Sequence, residues 1–364
     1  MVITGYDVIL LGLPVDEPLA SGPSDTSRNR LTVMLLLRTD EGVEGIGFTF
    51  LGAGLSRALK VAVEDLAEMC LGHDPLNPEP LFAKIGALAG GSGPAGIFTL
   101  ALAAIDIALW DIRGKVAGQP LWRLLGASDA PVPTYASGAL MREFDNEVVV
   151  TSCRRLVETG HRRVKMQLAL PGAYDREREV QRIRLIRAAL GDGIELMCDV
   201  NQRWTVQQAV EMGQAIAEFG LCWLEDPVAH DDLQGQATVA REQPVPIATG
   251  EYIYGPGGFA QLLDAAPPHF VMIDPFRAGG ITPWLKIAEL AQVHGKPVVS
   301  HLAPEVQVHL IAAIPNGYTV EYMPWSVAMF KEVPWPKQGY LQLGEAPGLG
   351  LEIDAAAVKR YRLS

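Results

Sequence analysis

The chain is poor in cysteine: of 364 residues only Cys70, Cys153, Cys198 and Cys222 carry a thiol, scattered and without a Cys-x-x-Cys spacing. A disulfide framework and a thiolate-based metal or redox motif are therefore not indicated. Positive charge is also scarce, with 30 Lys and Arg against 42 Asp and Glu, a net charge of −12 and a pI near 5.1. Such a surface offers no basic field to phosphate backbones or anionic lipid, so neither nucleic-acid nor membrane partners are expected. Acidity leaves the substrate open, because a metal ion and a few cations can make a locally positive pocket. Long apolar runs are missing as well. The most apolar helical stretch, Ile97 to Trp110, covers 14 residues and contains Asp106, which falls short of a bilayer span and reads as a buried helix. The amino-terminal residues show no basic region followed by an apolar stretch and a cleavage site, and a cytoplasmic location is the expectation. Gly91-Ser92-Gly93-Pro94-Ala95-Gly96 matches a dinucleotide fingerprint by letter, but no apolar strand precedes it and Pro94 interrupts it.

What is present is a large supply of core. Hydrophobic residues make up 49% of the chain, which excludes a disordered or fibrous protein and suffices for one large domain plus a smaller one. Strand-like segments at Val8–Leu10, Leu31–Leu37 and Gly42–Gly47, followed by helical periodicity over 56–70 and 97–115, predict an α+β module over residues 1–125. From Val132 short apolar strands alternate with amphipathic helices. The strands are predicted near 132–137, 163–168, 195–199, 221–225, 246–250, 269–274, 297–300 and 318–321, with seven helical stretches between them. This alternation predicts an α/β fold, a closed (β/α)7β TIM-type barrel over 126–325, rather than an open doubly wound sheet. The Pro- and Gly-rich segment 326–364 is expected to return to the first module.

Chemistry in such a barrel belongs at the carboxyl ends of the strands. Asp199, Glu225 and Glu251 each stand there, 26 residues from the next, one βα repeat. Three converging carboxylates cannot all stay ionised without a cation, and an all-oxygen set suits Mg²⁺ better than Zn²⁺. Asp274 and His301 end adjacent strands, where the carboxylate can orient the imidazole as a general base.

The strand-end order, Lys165-x-Gln167, Asp199-x-Asn201, Glu225, Glu251, Asp274, His301, Glu321, resembles the mandelate racemase subgroup of the enolase superfamily. The resemblance covers nearly the whole chain. The helix Ala104-Ile105-Asp106-Ile107-Ala108-Leu109-Trp110-Asp111-Ile112-Arg113-Gly114-Lys115 is similar to one in that family's N-terminal capping domain, and Pro347-Gly348-Leu349-Gly350 to its carboxyl-terminal return. It implies Asp199, Glu225 and Glu251 as metal ligands, Asp274 and His301 as the catalytic dyad, and Lys165 as the group that neutralises a substrate carboxylate. Glu321 is implied as a further contact to that carboxylate, holding charge in its protonated form.

Gln167 departs from the family's Lys-x-Lys motif and cannot serve as a second base at neutral pH. The resemblance therefore implies syn dehydration of an acid sugar, an aldonate or aldarate, to a 2-keto-3-deoxy acid. Racemisation, epimerisation or cycloisomerisation of another α-carboxylate is the alternative, and a catalytically silent metal-binding barrel the third reading. The resemblance also implies a homo-oligomer, and two lid loops at 14–30 and 49–54. Gln167, Asn201, Arg28 and Trp325 are the substrate-binding candidates. Arg28 or Arg30 could meet a distal carboxylate or hydroxyl, although a solvated surface arginine is the simpler reading of either.

Overall fold

Short apolar runs rich in leucine and β-branched side chains build the first layer, an antiparallel sheet of β1 (Ile3–Val15), β2 (Asp25–Thr39) and β3 (Glu44–Phe50). The computed structural model describes residues 1–15, 17–22, 25–50 and 54–363, and of residues 25–28 only the backbone. Pairing such as Val8 with Leu35 and Leu35 with Gly47 fixes the register. Helices α1 (Ser56–Cys70) and α3 (Gly96–Ala117) cover this sheet, and α2 (Glu79–Ala89) packs against α1. The glycines of β3 are there for contact: a Cβ at Gly47 would collide with the Ala104 carbonyl, and one at Gly45 with that of Ala108. Removing those side chains lets the sheet sit directly on the alanine-rich face of α3.

After the single turn α4 (Leu121–Leu124), strands β4 (Val132–Leu140), β5 (Arg163–Gln167), β6 (Glu195–Asp199), β7 (Leu224–Glu225), β8 (Ile247–Thr249), β9 (Phe270–Ile273), β10 (Val298–Ser300) and β11 (Gly317–Tyr322) follow. Among the described residues these eight pair in parallel in sequence order, and β11 closes on β4. Tyr135, Met197, Trp223, Ala248, Met272 and Val299 fill the lumen. The barrel is thus a packed core with its chemistry confined to the rim.

Helices α5 (Asn146–Glu158), α6 (Arg176–Leu190), α7 (Val206–Ala215), α8 (Leu233–Glu242), α9 (Gly255–Ala265), α10 (Pro275–Ala278), α11 (Ile281–Val293) and α12 (Pro304–Ala313) lie between the strands. Asp145, Asp175, Thr205 and Asp232 cap the amino ends of α5 to α8 through side-chain oxygens.

The last segment adds β12 (Tyr340–Leu341) antiparallel to β4 and ends in α13 (Ala355–Tyr361). It then bonds to the first module, with Leu121 N donating to Gly348 O at 2.7 Å and Leu363 N to Leu10 O at 2.8 Å. Among the described residues no helix is long and apolar enough to cross a membrane.

Candidate active site

Parallel register brings the acids of neighbouring strands level. Gln167 pairs with Asp199 and Asp199 with Glu225, while Glu251 stands two residues beyond the end of β8. Asp199, Glu225 and Glu251 are all nearly fully buried. Lys165, on β5, reaches into their midst. Its Nζ is 2.5 Å from Glu225 Oε1, 2.8 Å from Glu321 Oε1 and 4.0 Å from Asp199 Oδ2.

One ammonium does not balance that charge. Burial pushes Asp199 up to about 6; Lys165 opposes the rise and Glu251 adds to it. Burial drives Glu225 well above the carboxylate range against the pull of Lys165, with Asp199 and Glu251 contributing. Trp223 Nε1 donates to the other Glu225 oxygen at 2.9 Å. Asn201, in the left-handed region at φ 49°, aims its backbone and side-chain N–H groups at the two oxygens of Asp199, both at 2.8 Å.

Asp274 caps α10, its Oδ1 accepting from the N–H groups of Phe276 and Arg277 at 2.8 and 2.7 Å. Its Oδ2 is thereby left for His301 Nδ1, 2.7 Å away, which turns Nε2 toward Glu251 Oε2 at 3.2 Å. Burial alone would lower the His301 pKa. Glu251, the Asp274 hydrogen bond and Glu321 override it and raise the ring to about 9. The largest raising effect comes from Glu251, whose charge a cation held there would offset, favouring the neutral ring that a base requires.

Glu321 corrects an expectation. Burial would raise its pKa, but Lys165 and His301 hold it down at about 2, and Leu302 N donates to its Oε2 at 2.7 Å. It is an ionised partner of Lys165, not a protonated acid.

A divalent cation fits this donor set. The oxygens are hard, the buried negative charge exceeds the nearby positive charge, and Glu251 Oε2 and Asp226 Oδ2 are buried without an aligned hydrogen bond. Among the described residues no three acidic, imidazole or thiol groups already surround one point. The ammonium of Lys165 lies between the carboxylates instead.

The structure places Lys165, Asp199, Asn201, Glu225, Glu251, Asp274, His301 and Glu321 on one rim. Gln167 flanks it, its Oε1 at 3.5 Å from Arg142 N. Trp325 faces the same rim from the side of the first module, with Nε1 donating to both oxygens of Glu17 at 3.1 Å. The Arg28 side chain lies outside the described residues. Arg30 is no solvated surface arginine: its side chain is one-tenth exposed, 3.0 Å from Glu17 and stacked 3.8 Å over Trp325.

Sequence reasoning missed three residues here. Arg142 donates to Asn201 Oδ1 at 2.5 Å and so backs Asp199. Asp226, next to Glu225, accepts from the Thr249 hydroxyl. Glu17 joins the first module to the rim. Only Asp226 left a signal, as the second acid of Glu225-Asp226-Pro227.

Comparison with known proteins agrees with this fold. Residues 148–357 match the enolase C-terminal domain-like family, and residues 14–126 the N-terminal domain of mandelate racemase / muconate lactonizing enzyme. The L-talarate/galactarate dehydratase of Salmonella typhimurium is 32% identical over 97% of this chain and 89% of its own length. The 3,6-anhydro-alpha-L-galactonate cycloisomerase of Streptomyces coelicolor is 31% identical over 88% of this chain and 89% of its own. The crystal structure of the Salmonella dehydratase liganded with Mg and L-lyxarohydroxamate superimposes with a TM-score of 0.90 at 30% identity, covering 99% of this chain and 92% of that one. With the barrel, its rim acids and the capping sheet all in place, this chain belongs to the mandelate racemase subgroup of the enolase superfamily.

Proposed function

We propose that this protein is a Mg²⁺-dependent acid-sugar dehydratase that removes the α-proton of an aldonate or aldarate and expels its β-hydroxyl, forming a 2-keto-3-deoxy acid. The observation that carries the reading is the single-base arrangement: His301 Nδ1 is tied to Asp274 at 2.7 Å, and the position that a second base would need is Gln167. Asp199, Glu225 and Glu251 would hold Mg²⁺, which supplies Lewis-acid stabilisation of the charge developing on the substrate carboxylate. Lys165 neutralises that same carboxylate. His301 Nε2 takes the α-proton, breaking the C–H bond, and returns it to the β-oxygen as the C–O bond breaks, so that water leaves and the enol tautomerises to the keto acid. Asp274 fixes the tautomer throughout.

A one-base cycloisomerase is the second reading, and the Streptomyces relative favours it. A screen of aldonates and aldarates with Mg²⁺, detecting 2-keto acid with semicarbazide, tests the first. Product that falls about a thousandfold in His301→Asn supports it. Exchange of the α-hydrogen in D₂O without loss of water favours the isomerase instead.

A further inference from the structure

One cavity outside the rim carboxylates is lined by cations. It measures about 290 Å³, close to the ~300 Å³ at which small-molecule sites begin, and is formed by the loops that follow β4 and β5 and by the first half of α6. Arg142, Arg178 and Arg182 line it, and among the described lining residues Asp145 is the one acid. The chain as a whole carries −12, so three guanidiniums converging here run against its surface. None of the three is ion-paired among the described residues. Arg182 gives its Nη groups to neutral acceptors, Asn146 Oδ1 at 2.6 Å and the carbonyls of Met141 and Phe144 at 3.1 and 2.7 Å. Arg178 Nη1 donates to Pro171 O at 2.7 Å, and Arg142 spends Nη2 on Asn201 Oδ1. Arg142 Nη1 and Arg178 Nη2 are left without a bond among the described residues.

Arg142 and Arg182 are only 4% and 5% exposed, and the Nε of each is buried without a partner. Burial lowers the pKa of both guanidiniums, against smaller opposing pulls from Asp199 on Arg142 and Asp145 on Arg182. Buried charge of one sign is ordinarily matched by the other. Asp145 does not match it here, because its Oδ1 caps α5 by accepting from Val148 N at 2.8 Å. Glu179 nearby likewise gives Oε1 to Leu170 N at 2.7 Å. Three positive charges against one negative leave the lining at +2. A carboxylate would neutralise half of that excess and a dianion all of it. We infer that this cavity binds a phosphate dianion, free or as the monoester of a small metabolite, with Arg142 and Arg178 donating from their unbonded Nη groups. Phe144 and Leu170 supply an apolar wall for the organic part of an ester. The site is independent of the reaction at the rim.

Calorimetric titration of the wild-type protein in Mg²⁺ with inorganic phosphate, glycerol 3-phosphate and acetate tests this. Both phosphates should bind once per chain, and acetate more weakly by about tenfold or more. Glycerol 3-phosphate tighter than phosphate by about tenfold assigns the cavity to an ester, and equal affinity assigns it to the free ion. Arg178 is exposed and bonded only to Pro171 O, so Arg178→Gln should leave the fold intact and weaken both phosphates about tenfold. Asp145→Asn keeps a capping side chain on α5 and removes the one negative charge, so both phosphates should bind about threefold tighter. A gain of affinity cannot come from a variant that fails to fold. Absence of phosphate binding in the wild type overturns the inference. Binding that neither substitution changes overturns it as well, since phosphate held by Mg²⁺ at the rim would behave in that way.

Discussion

Among the buried acids of the described residues, one group stands at a seam and another at the barrel rim, and burial does not tell them apart. At the seam between capping sheet and barrel, Asp106 receives Thr282 N at 2.8 Å and Thr282 Oγ1 at 2.7 Å. Asp111 receives Ile46 N, Leu349 N and Lys115 Nζ at 2.9, 2.8 and 2.7 Å. At the rim, Asp199, Glu225 and Glu251 face one another around a single ammonium. Burial raises Asp106 and Asp199 alike to about 6. The secondary causes differ: at Asp106 hydrogen bonds from Thr282 oppose the rise, whereas at Asp199 Lys165 opposes it and the like charge of Glu251 adds to it. An acid held by N–H donors with no like charge beside it fits the scaffold. An acid crowded by like charges, as Asp199 is even with Asn201 donating to both its oxygens, fits a cation ligand.

The sharpest way to break this contrast is to remove one acid from each group. Glu251→Gln should lower product formation by about a thousandfold, since the cation loses a ligand. Its metal-free stability should stay level or rise, because a like charge has gone. A clear loss of metal-free stability on denaturant unfolding would make Glu251 structural.

Asp111→Ala should do the reverse. It leaves two buried backbone N–H groups without their acceptor and Lys115 with only the Glu44 carbonyl, and should cost about 3 kcal/mol by urea unfolding. Cation affinity of the folded protein should hold within about threefold. Retained stability in Asp111→Ala would erase the distinction between the two groups.

His309 probes the seam from the basic side. It is buried, its Nδ1 accepting from Trp122 N at 3.2 Å and Nε2 facing Leu349 O at 3.3 Å. Burial lowers its pKa from 6.5 to about 4, against a smaller rise from the Leu349 carbonyl. Between these two values the unfolded chain binds a proton that the folded one refuses. Stability therefore increases with pH across that window and is lost on acidification, by about 3 kcal/mol at the lower end. Urea unfolding at pH 7 and pH 4.5 should show that slope in the wild type and a shallower one in His309→Gln. Equal slopes would remove His309 from the seam.

The smallest effect expected is from the cation itself. Mg²⁺ at a hundredfold excess over its dissociation constant should stabilise the wild type by about 2.7 kcal/mol. In Glu251→Gln at the same concentration the gain should largely vanish. An equal gain in both proteins would place the cation elsewhere.

Much of the barrel could be read from the chain because its period is local. Each of the eight strands is a short apolar run that hydrogen-bonds to its neighbour one repeat away. Even β7, which pairs over only Leu224 and Glu225, was marked by the acid that ends it. The strand-end positions of the rim acids could be read for the same reason. Helices α2 and α13 were not anticipated. α2 follows Pro78 and fully buries only Leu81 and Ile85, while α13 spans seven residues and fully buries none. The Asp106 contact to Thr282, which ties α3 to the start of α11, spans 176 residues and has no local signature.

Sequence alone specified the barrel and the level at which Asp199, Glu225, Glu251, Asp274 and His301 stand, because one βα repeat converts spacing directly into position. The tertiary fold decided the charge state of Glu321, the support that Arg142 lends through Asn201, and the closure of Glu17 on Arg30 and Trp325. Those depend on which groups meet across 59 residues in one case and 308 in another. Electrostatics inside a protein follows distance and burial, and neither is written in the order of the chain.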